Sequence, residues 1–230
     1  RDDAIREVIP EYADGWRCKI VIAGGLDGGL NYYKVVVQSE SGTRMEKRLP
    51  HKQYLQIVAA SNYKQRMRKA VEYFHADRLN YAVVGTPNRL EYDQGFFVKI
   101  GDGAADVKPI AHLYKTQVYT LARRLGLPGE VWRQTPTTGI YSLHQGQDES
   151  FFHLPYREMD VALWAHNHGV PETDLARYLD VSEERAQWIY NDIQRKREGT
   201  AYLHAPPFLI ENVPEVAKNA ASSSTRARTT

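Results

Sequence analysis

The chain has 230 residues, of which 25% are charged and 42% apolar, and a formal net charge of +2. That composition suits one α/β domain with a real core and is too balanced to indicate nucleic acid or an anionic membrane surface. Cys18 is the single cysteine, which excludes an intrachain disulfide or a cysteine metal cluster and fits a reducing compartment.

No apolar run nears the roughly 18 residues of a membrane span and no signal segment opens the chain, so a cytoplasmic protein without membrane or nucleic-acid partners is expected. The sequence begins at Arg1 rather than Met and enters helical spacing at once (Ile5, Val8, Ile9) before Pro10; the expectation is that an N-terminal part is missing. Cys18 to Ala23, Tyr33 to Gln38 and Arg44 to Leu49 read as extended, so residues 17–49 are predicted to form a hairpin or meander. Between the first two runs, Ala23-Gly24-Gly25-Leu26-Asp27-Gly28-Gly29 invites a phosphate loop. It lacks a serine, a threonine, a lysine and a following periodic helix, and a hairpin turn is the better reading.

Apolar residues recur at helical intervals from His51 to Phe74 (Leu55, Val58, Ala59, Met67, Val71), with Ser61-Asn62 as a point where that helix could break. Tyr81 to Val84 reads as a strand. Leu113 to Leu125 reads as an amphipathic helix stopped by Gly126 and Pro128. Residues 130–153 have little periodicity and are predicted to be a loop. Three helices are expected next, over Tyr156 to His168, Pro171 to Leu179 and Ser182 to Arg197. The division is therefore residues 1–50 as a hairpin or insertion of uncertain role, 51–211 as the main domain, and 212–230 as a disordered tail too poor in apolar residues to offset the entropy of ordering.

Chemistry concentrates between residues 84 and 115. A strand ending in Gly85-Thr86 leaves backbone amides and a hydroxyl to meet a purine or phosphate. Glu91, five residues on, can reach a cation held by phosphates, or it can simply complement a helix N-terminus, and the residues alone leave these even. Lys99, between Phe96-Phe97-Val98 and the turn Gly101-Asp102-Gly103, suits a phosphate or carboxylate, although a solvated lysine and turn-forming aspartates are the plainer account. Lys115 opens a helix, where a cation opposes the dipole unless an anion is present, so an anionic ligand is expected there. Arg66 and Arg68 are two apart on a helix and cannot share a face. Arg195, Lys196 and Arg197 end a helix, where positive charge is favourable without any ligand. His166 and His168 diverge on their helix and have no evident third metal ligand.

Taken together, Lys64-Gln65-Arg66, Gly85-Thr86, Glu91, Gly95-Phe96-Phe97-Val98-Lys99, Gly101-Asp102-Gly103, Asp106, Pro109, Leu113-Tyr114-Lys115-Thr116-Gln117 and Pro136-Thr137 resemble the NAD synthetase family of N-type ATP pyrophosphatases. The agreement in order and spacing extends over roughly residues 55–207, and its GFFxKxGDG run is the specific part. The resemblance implies a Rossmann-like parallel sheet flanked by helices, a homodimer, and ATP-dependent amidation of deamido-NAD to NAD through an acyl adenylate. It implies ATP contacts at Thr86, Lys115 and Thr137, Mg²⁺ at Glu91, and deamido-NAD contacts at Arg66, Lys99, Asp106, Arg195 and Lys196. It assigns no catalytic residue. The family's Ser-Gly-Gly-x-Asp-Ser loop, which supplies a second Mg²⁺ carboxylate, has no match, so the chain reads as the C-terminal part of a synthetase that is nearly inactive alone. The nitrogen donor, ammonia either free or released from glutamine, stays open. Two alternatives remain: a non-catalytic dinucleotide-binding or regulatory module derived from a synthetase, and another amide ligase of the same superfamily.

Overall fold

In a computed structural model, the structure describes residues 1–23, 32–134, 136–137, 141–144, 146, 151–211 and 213–214. The first half is built on alternation. In β1 (Arg17–Ala23) and β2 (Tyr32–Gln38) the residues Cys18, Ile20, Val35 and Val37 fall on one face by the two-residue period of a strand. The strands pair antiparallel from Arg17 opposite Gln38 to Ala23 opposite Tyr32. β3 (Arg44–Arg48) completes a β1-β2-β3 meander, as the sequence predicted. The Gly24 to Gly29 segment, read as a turn, lies outside the described residues. β3 is almost wholly charged, which suits an exposed edge. Its hairpin closes through Ser39, whose amide donates to the Thr43 carbonyl (2.9 Å) and whose hydroxyl accepts from the Thr43 amide (3.0 Å).

The apolar face of this sheet packs on α1 (Asp2–Arg6), on Ile9 and Tyr12 beyond it, and on Ile57 of the long helix α2 (His51–Leu79). Tyr33 stacks on Tyr54 at 4.0 Å. α2 does not break at Ser61-Asn62. The Ser61 hydroxyl turns back to the Ile57 carbonyl (2.9 Å), so the side chain is satisfied inside the helix and costs no backbone bond. The helix ends at Asn80, whose left-handed backbone (φ 55°) releases the chain.

A second core gathers α3 (Arg89–Gln94), α6 (Tyr156–Asn167), α7 (Glu172–Leu179) and α8 (Glu183–His204) around Leu90, Phe152, Leu163, Leu175 and Ile193. α4 (Lys115–Arg124) and the short α5 (Gly129–Trp132) lie to its side, α5 supplying one helical turn within the predicted loop. α8 runs past its predicted stop at Arg197. Arg197 itself is pinned to Asp93, and carbonyls at the helix end find a donor in Lys99.

The expected parallel sheet is the main departure. The sheet of the described residues is antiparallel, and the predicted strand Tyr81 to Val84 appears as a single parallel bridge, Val84 to Val107, with Tyr81 and Val84 exposed. A ladder needs neighbours on successive residues, and here only one pairing is present. The predicted tail from residue 212 falls almost entirely outside the described residues.

Gly95 closes α3 in the left-handed region (φ 71°), and a β-carbon there would collide with the Thr200 side chain on α8. Gly95→Ala should therefore lower stability by about 1–3 kcal/mol, read as a fall in the urea midpoint at unchanged slope.

Candidate functional site

The site is assembled around the start of α3. Asn88 caps the helix, its side-chain oxygen accepting from the amides of Leu90 and Glu91. Glu91 Oε2 returns to the Asn88 backbone amide (2.8 Å) and side-chain amide (2.7 Å). This reciprocal box fixes both residues. The helix-terminus role weighed for Glu91 is thus real, and the carboxylate also borders a cavity. Just upstream, Gly85 donates to the Val107 carbonyl (2.8 Å), and a β-carbon at Gly85 would stand 2.7 Å from that of Ala105, so the close approach needs glycine. Asp106 accepts from the Val83 amide (2.7 Å) and lies 3.5 Å from the Tyr73 hydroxyl. Its carboxylate holds the extended segment that delivers Thr86.

A cavity of about 600 Å³ opens between α2, the Thr86-Pro87 turn, α3 and the start of α4, and Thr86, Glu91, Lys115, Asp102, Phe96 and Phe151 are among its walls. Three of the predicted residues therefore meet. Lys115 is the first residue of α4, and its ammonium stands 5.6 Å and 5.4 Å from the ring centroids of Tyr119 and Tyr156. The chain already brings an anion to this helix start: Asp160 accepts from the backbone amides of Lys115 (3.1 Å) and Thr116 (2.7 Å). Burial pushes the Asp160 carboxyl up, against the pull of those two amides and of Lys115. The sequence reading missed Asp160, although a carboxylate set among Met159, Ala162 and Leu163 was a legible signal.

The remaining predicted residues are not among the described lining residues of this cavity. In the Gly95 to Gly103 run, Asp102 Oδ1 accepts from the Val98 amide (2.7 Å) and folds the turn. Lys99 donates to the carbonyls of Tyr202 (2.7 Å) and Ala205 (2.9 Å), while Arg66 Nε donates to the Lys99 carbonyl (3.2 Å). Arg66 and Lys99 thus share a neighbourhood at the end of α8, and the Lys99 ammonium meets carbonyl groups there. Lys196 pairs with Asp192 (2.6 Å) behind the cavity wall, its ammonium 4.7 Å from the Phe151 ring centroid, and burial lowers its pKa. Arg195 is exposed, 3.8 Å from Asp192. Thr137 bridges antiparallel to Gly146 and is not among the described lining residues. His168 Nδ1 lies 2.7 Å from the Trp164 carbonyl, and no group of three metal-ligating side chains occurs among the described residues.

A carboxylate, a hydroxyl and a lysine from three points of an α/β chain, opening on one cavity, suit a phosphorylated ligand with its cation. The family model for NAD synthase matches residues 28–199. The chain is similar to the NH(3)-dependent NAD(+) synthetase of Rhizobium meliloti (strain 1021), at 54% identity over 94% of this chain and 65% of that protein. It is also similar to that of Mesorhizobium japonicum, at 53% identity over 93% of this chain and 67% of that protein. A solved NMN synthetase from Francisella tularensis shares the fold, with a TM-score of 0.52 at 24% identity over 68% of this chain and 58% of the other. The chain belongs to the NAD synthase family. It spans about two thirds of the length of the curated relatives, and the family match begins at residue 28, upstream of the stretch on which the sequence resemblance rested.

Lys196→Ala leaves the Asp192 carboxylate, whose side chain is only 14% exposed, with only the exposed Arg195 at 3.8 Å to pair with among the described ion pairs. We expect a stability loss of roughly 1–3 kcal/mol in chemical denaturation, and Lys196→Ala/Asp192→Ala should recover part of it.

Proposed function

We propose that this chain is the portion of an ATP-dependent synthetase that binds ATP and deamido-NAD and amidates the pyridine carboxylate to give NAD. The observation that carries the reading is the convergence of Thr86, Glu91 and Lys115 on one cavity in a chain of the NAD synthase family. A carboxylate is a poor acyl donor because oxide is a poor leaving group. Attack of the substrate carboxylate on the ATP α-phosphorus expels pyrophosphate and gives an acyl adenylate; ammonia then adds to the acyl carbon, AMP leaves, and a proton is lost from nitrogen. The names of the relatives favour free ammonia as donor.

In this reading Lys115 offsets negative charge on the ATP phosphates and Thr86 and Thr137 contact the nucleotide. Glu91 is an oxygen ligand of the right kind for Mg²⁺, a hard cation that takes one or two carboxylates beside substrate phosphates and supplies charge neutralisation there. Arg66, Lys99 and Asp106 are assigned to deamido-NAD. So are Arg195 and Lys196, of which Lys196 meets the cavity wall through Phe151. The single parallel bridge of Val84 with Val107 supports a Rossmann-like parallel sheet in the complete protein. The exposed stripe of Tyr63, Met67, Val71 and Phe74 along α2 supports a homodimer. No helix among the described residues is long and apolar enough to cross a membrane, and a cytoplasmic location completes the proposal.

NAD formation by the full-length protein from ATP, deamido-NAD and ammonium tests the whole. Glu91→Gln keeps an acceptor for the Asn88 cap and loses the anionic metal ligand, so ATP–pyrophosphate exchange should fall by roughly 100-fold or more with the melting temperature nearly unchanged; undiminished exchange removes Glu91 from the site. Lys99→Ala should raise KM for deamido-NAD several-fold more than KM for ATP, and an equal rise in both would contradict its assignment.

A further inference from the structure

We propose that Tyr156 and Asp160, one turn apart on α6, are positioning residues that grip Lys115 by both ends, Asp160 through the backbone at the start of α4 and Tyr156 through the ammonium, and so hold that lysine at the cavity. The inference rests on the phosphate-binding role given to Lys115 above.

The case is geometric. Residues four apart on a helix present side chains to the same side, and here that side meets one residue of another helix. Asp160 receives the first two amides of α4, Lys115 at 3.1 Å and Thr116 at 2.7 Å. The residue preceding the helix, Tyr114, makes no side-chain cap bond, and its own amide goes to Gln117 Oε1 (2.9 Å). The first-turn donors of α4 thus find their acceptor 44 and 45 residues away in sequence. Tyr156 meanwhile lies 5.4 Å from the Lys115 ammonium, a cation–π distance, with Tyr119 on the same ammonium at 5.6 Å.

A lysine at the first position of a helix sits against the positive end of the dipole and would tend to swing into solvent. The buried Asp160 carboxylate, 6% exposed, reverses the local field, and the two rings set the direction in which the side chain leaves. The site thereby keeps a cation available to an incoming phosphate without reorganisation on binding. Asp160 touches no reacting atom in this account. It acts through Lys115.

In the full-length protein, Asp160→Asn retains the shape but replaces one acceptor oxygen by an amide donor facing an amide. KM for ATP should rise roughly ten-fold, with KM for deamido-NAD changing less than about two-fold, and the rise should vanish when Asp160→Asn is made in a Lys115→Ala background. Tyr156→Leu, which removes the ring, should raise KM for ATP several-fold. An unaltered KM for ATP in Asp160→Asn, or an undiminished effect in the Lys115→Ala background, overturns the proposal. Should Asp160→Asn fail to fold, hydrogen exchange on the wild-type protein decides. The Lys115 and Thr116 amides should be protected at neutral pH, and their protection factors should fall as Asp160 takes up its proton above the usual carboxylate value. Unprotected or pH-insensitive amides refute the clamp. A Lys115→Ala variant with unchanged KM for ATP marks failure of the underlying reading of Lys115, while the exchange experiment still judges the clamp itself.

Discussion

Six residues cannot hold a helix in water by themselves, because the cost of nucleation exceeds what so few backbone bonds return. α3 is such a helix, and the site depends on it. It persists because every side of it is tied. Asn88 and Glu91 exchange hydrogen bonds at its start. Leu90 is fully buried in the helical core. Arg197 forks onto both oxygens of Asp93 at 2.6 Å and 2.8 Å. Gly95 lets the chain turn away under Thr200, whose hydroxyl lies 3.3 Å from the Gln94 carbonyl. A bidentate pair of this kind adds orientation as well as energy. The same residues that stabilise α3 therefore set where Glu91 stands and how the chain enters the Phe96-Phe97-Val98-Lys99 run.

The electrostatics follow a similar logic of internal compensation. Lys115 gives its backbone amide to Asp160, Lys196 faces Asp192, and Lys99 faces the carbonyls that end α8. Each cation has a defined surrounding before any ligand arrives. The three differ in what is left over. Lys196 is sequestered behind Phe151, Lys99 is engaged by two carbonyls of its own chain, and Lys115 meets ring faces, which orient an ammonium while leaving its protons able to serve an anion.

Much of this was legible in the sequence where the signal is local. The meander of β1 to β3 follows from alternation and turn residues, the α2 and α6 to α8 helices from periodicity, and the meeting of Thr86, Glu91 and Lys115 from several short motifs that agree in order and spacing. What escaped depends on distant partners. The Ser61 hydroxyl is the local exception, for its return to the Ile57 carbonyl four residues back spares the helix. The extent of α8 past Arg197 is decided by Asp93 and Lys99, about a hundred residues earlier. An anionic ligand was expected at Lys115 from the helix dipole; that the chain itself brings the Asp160 carboxylate to the same helix start requires knowing that α6 lies across α4. Parallel pairing is non-local by construction, and among the described residues it is limited to the Val84 to Val107 bridge.

The outer edge of β1 is closed from far along the chain. Cys18 donates its amide to the hydroxyl of Ser142 (2.8 Å), 124 residues on, and its carbonyl accepts from the Leu143 amide (3.0 Å). Closing so long a loop is entropically expensive, although the cost grows only slowly with length, and contacts of this range tend to slow folding. Tyr141 to Leu143 thus ties the rim of the meander to a segment far along the chain, a contact of high sequence separation laid over a sheet made of local ones.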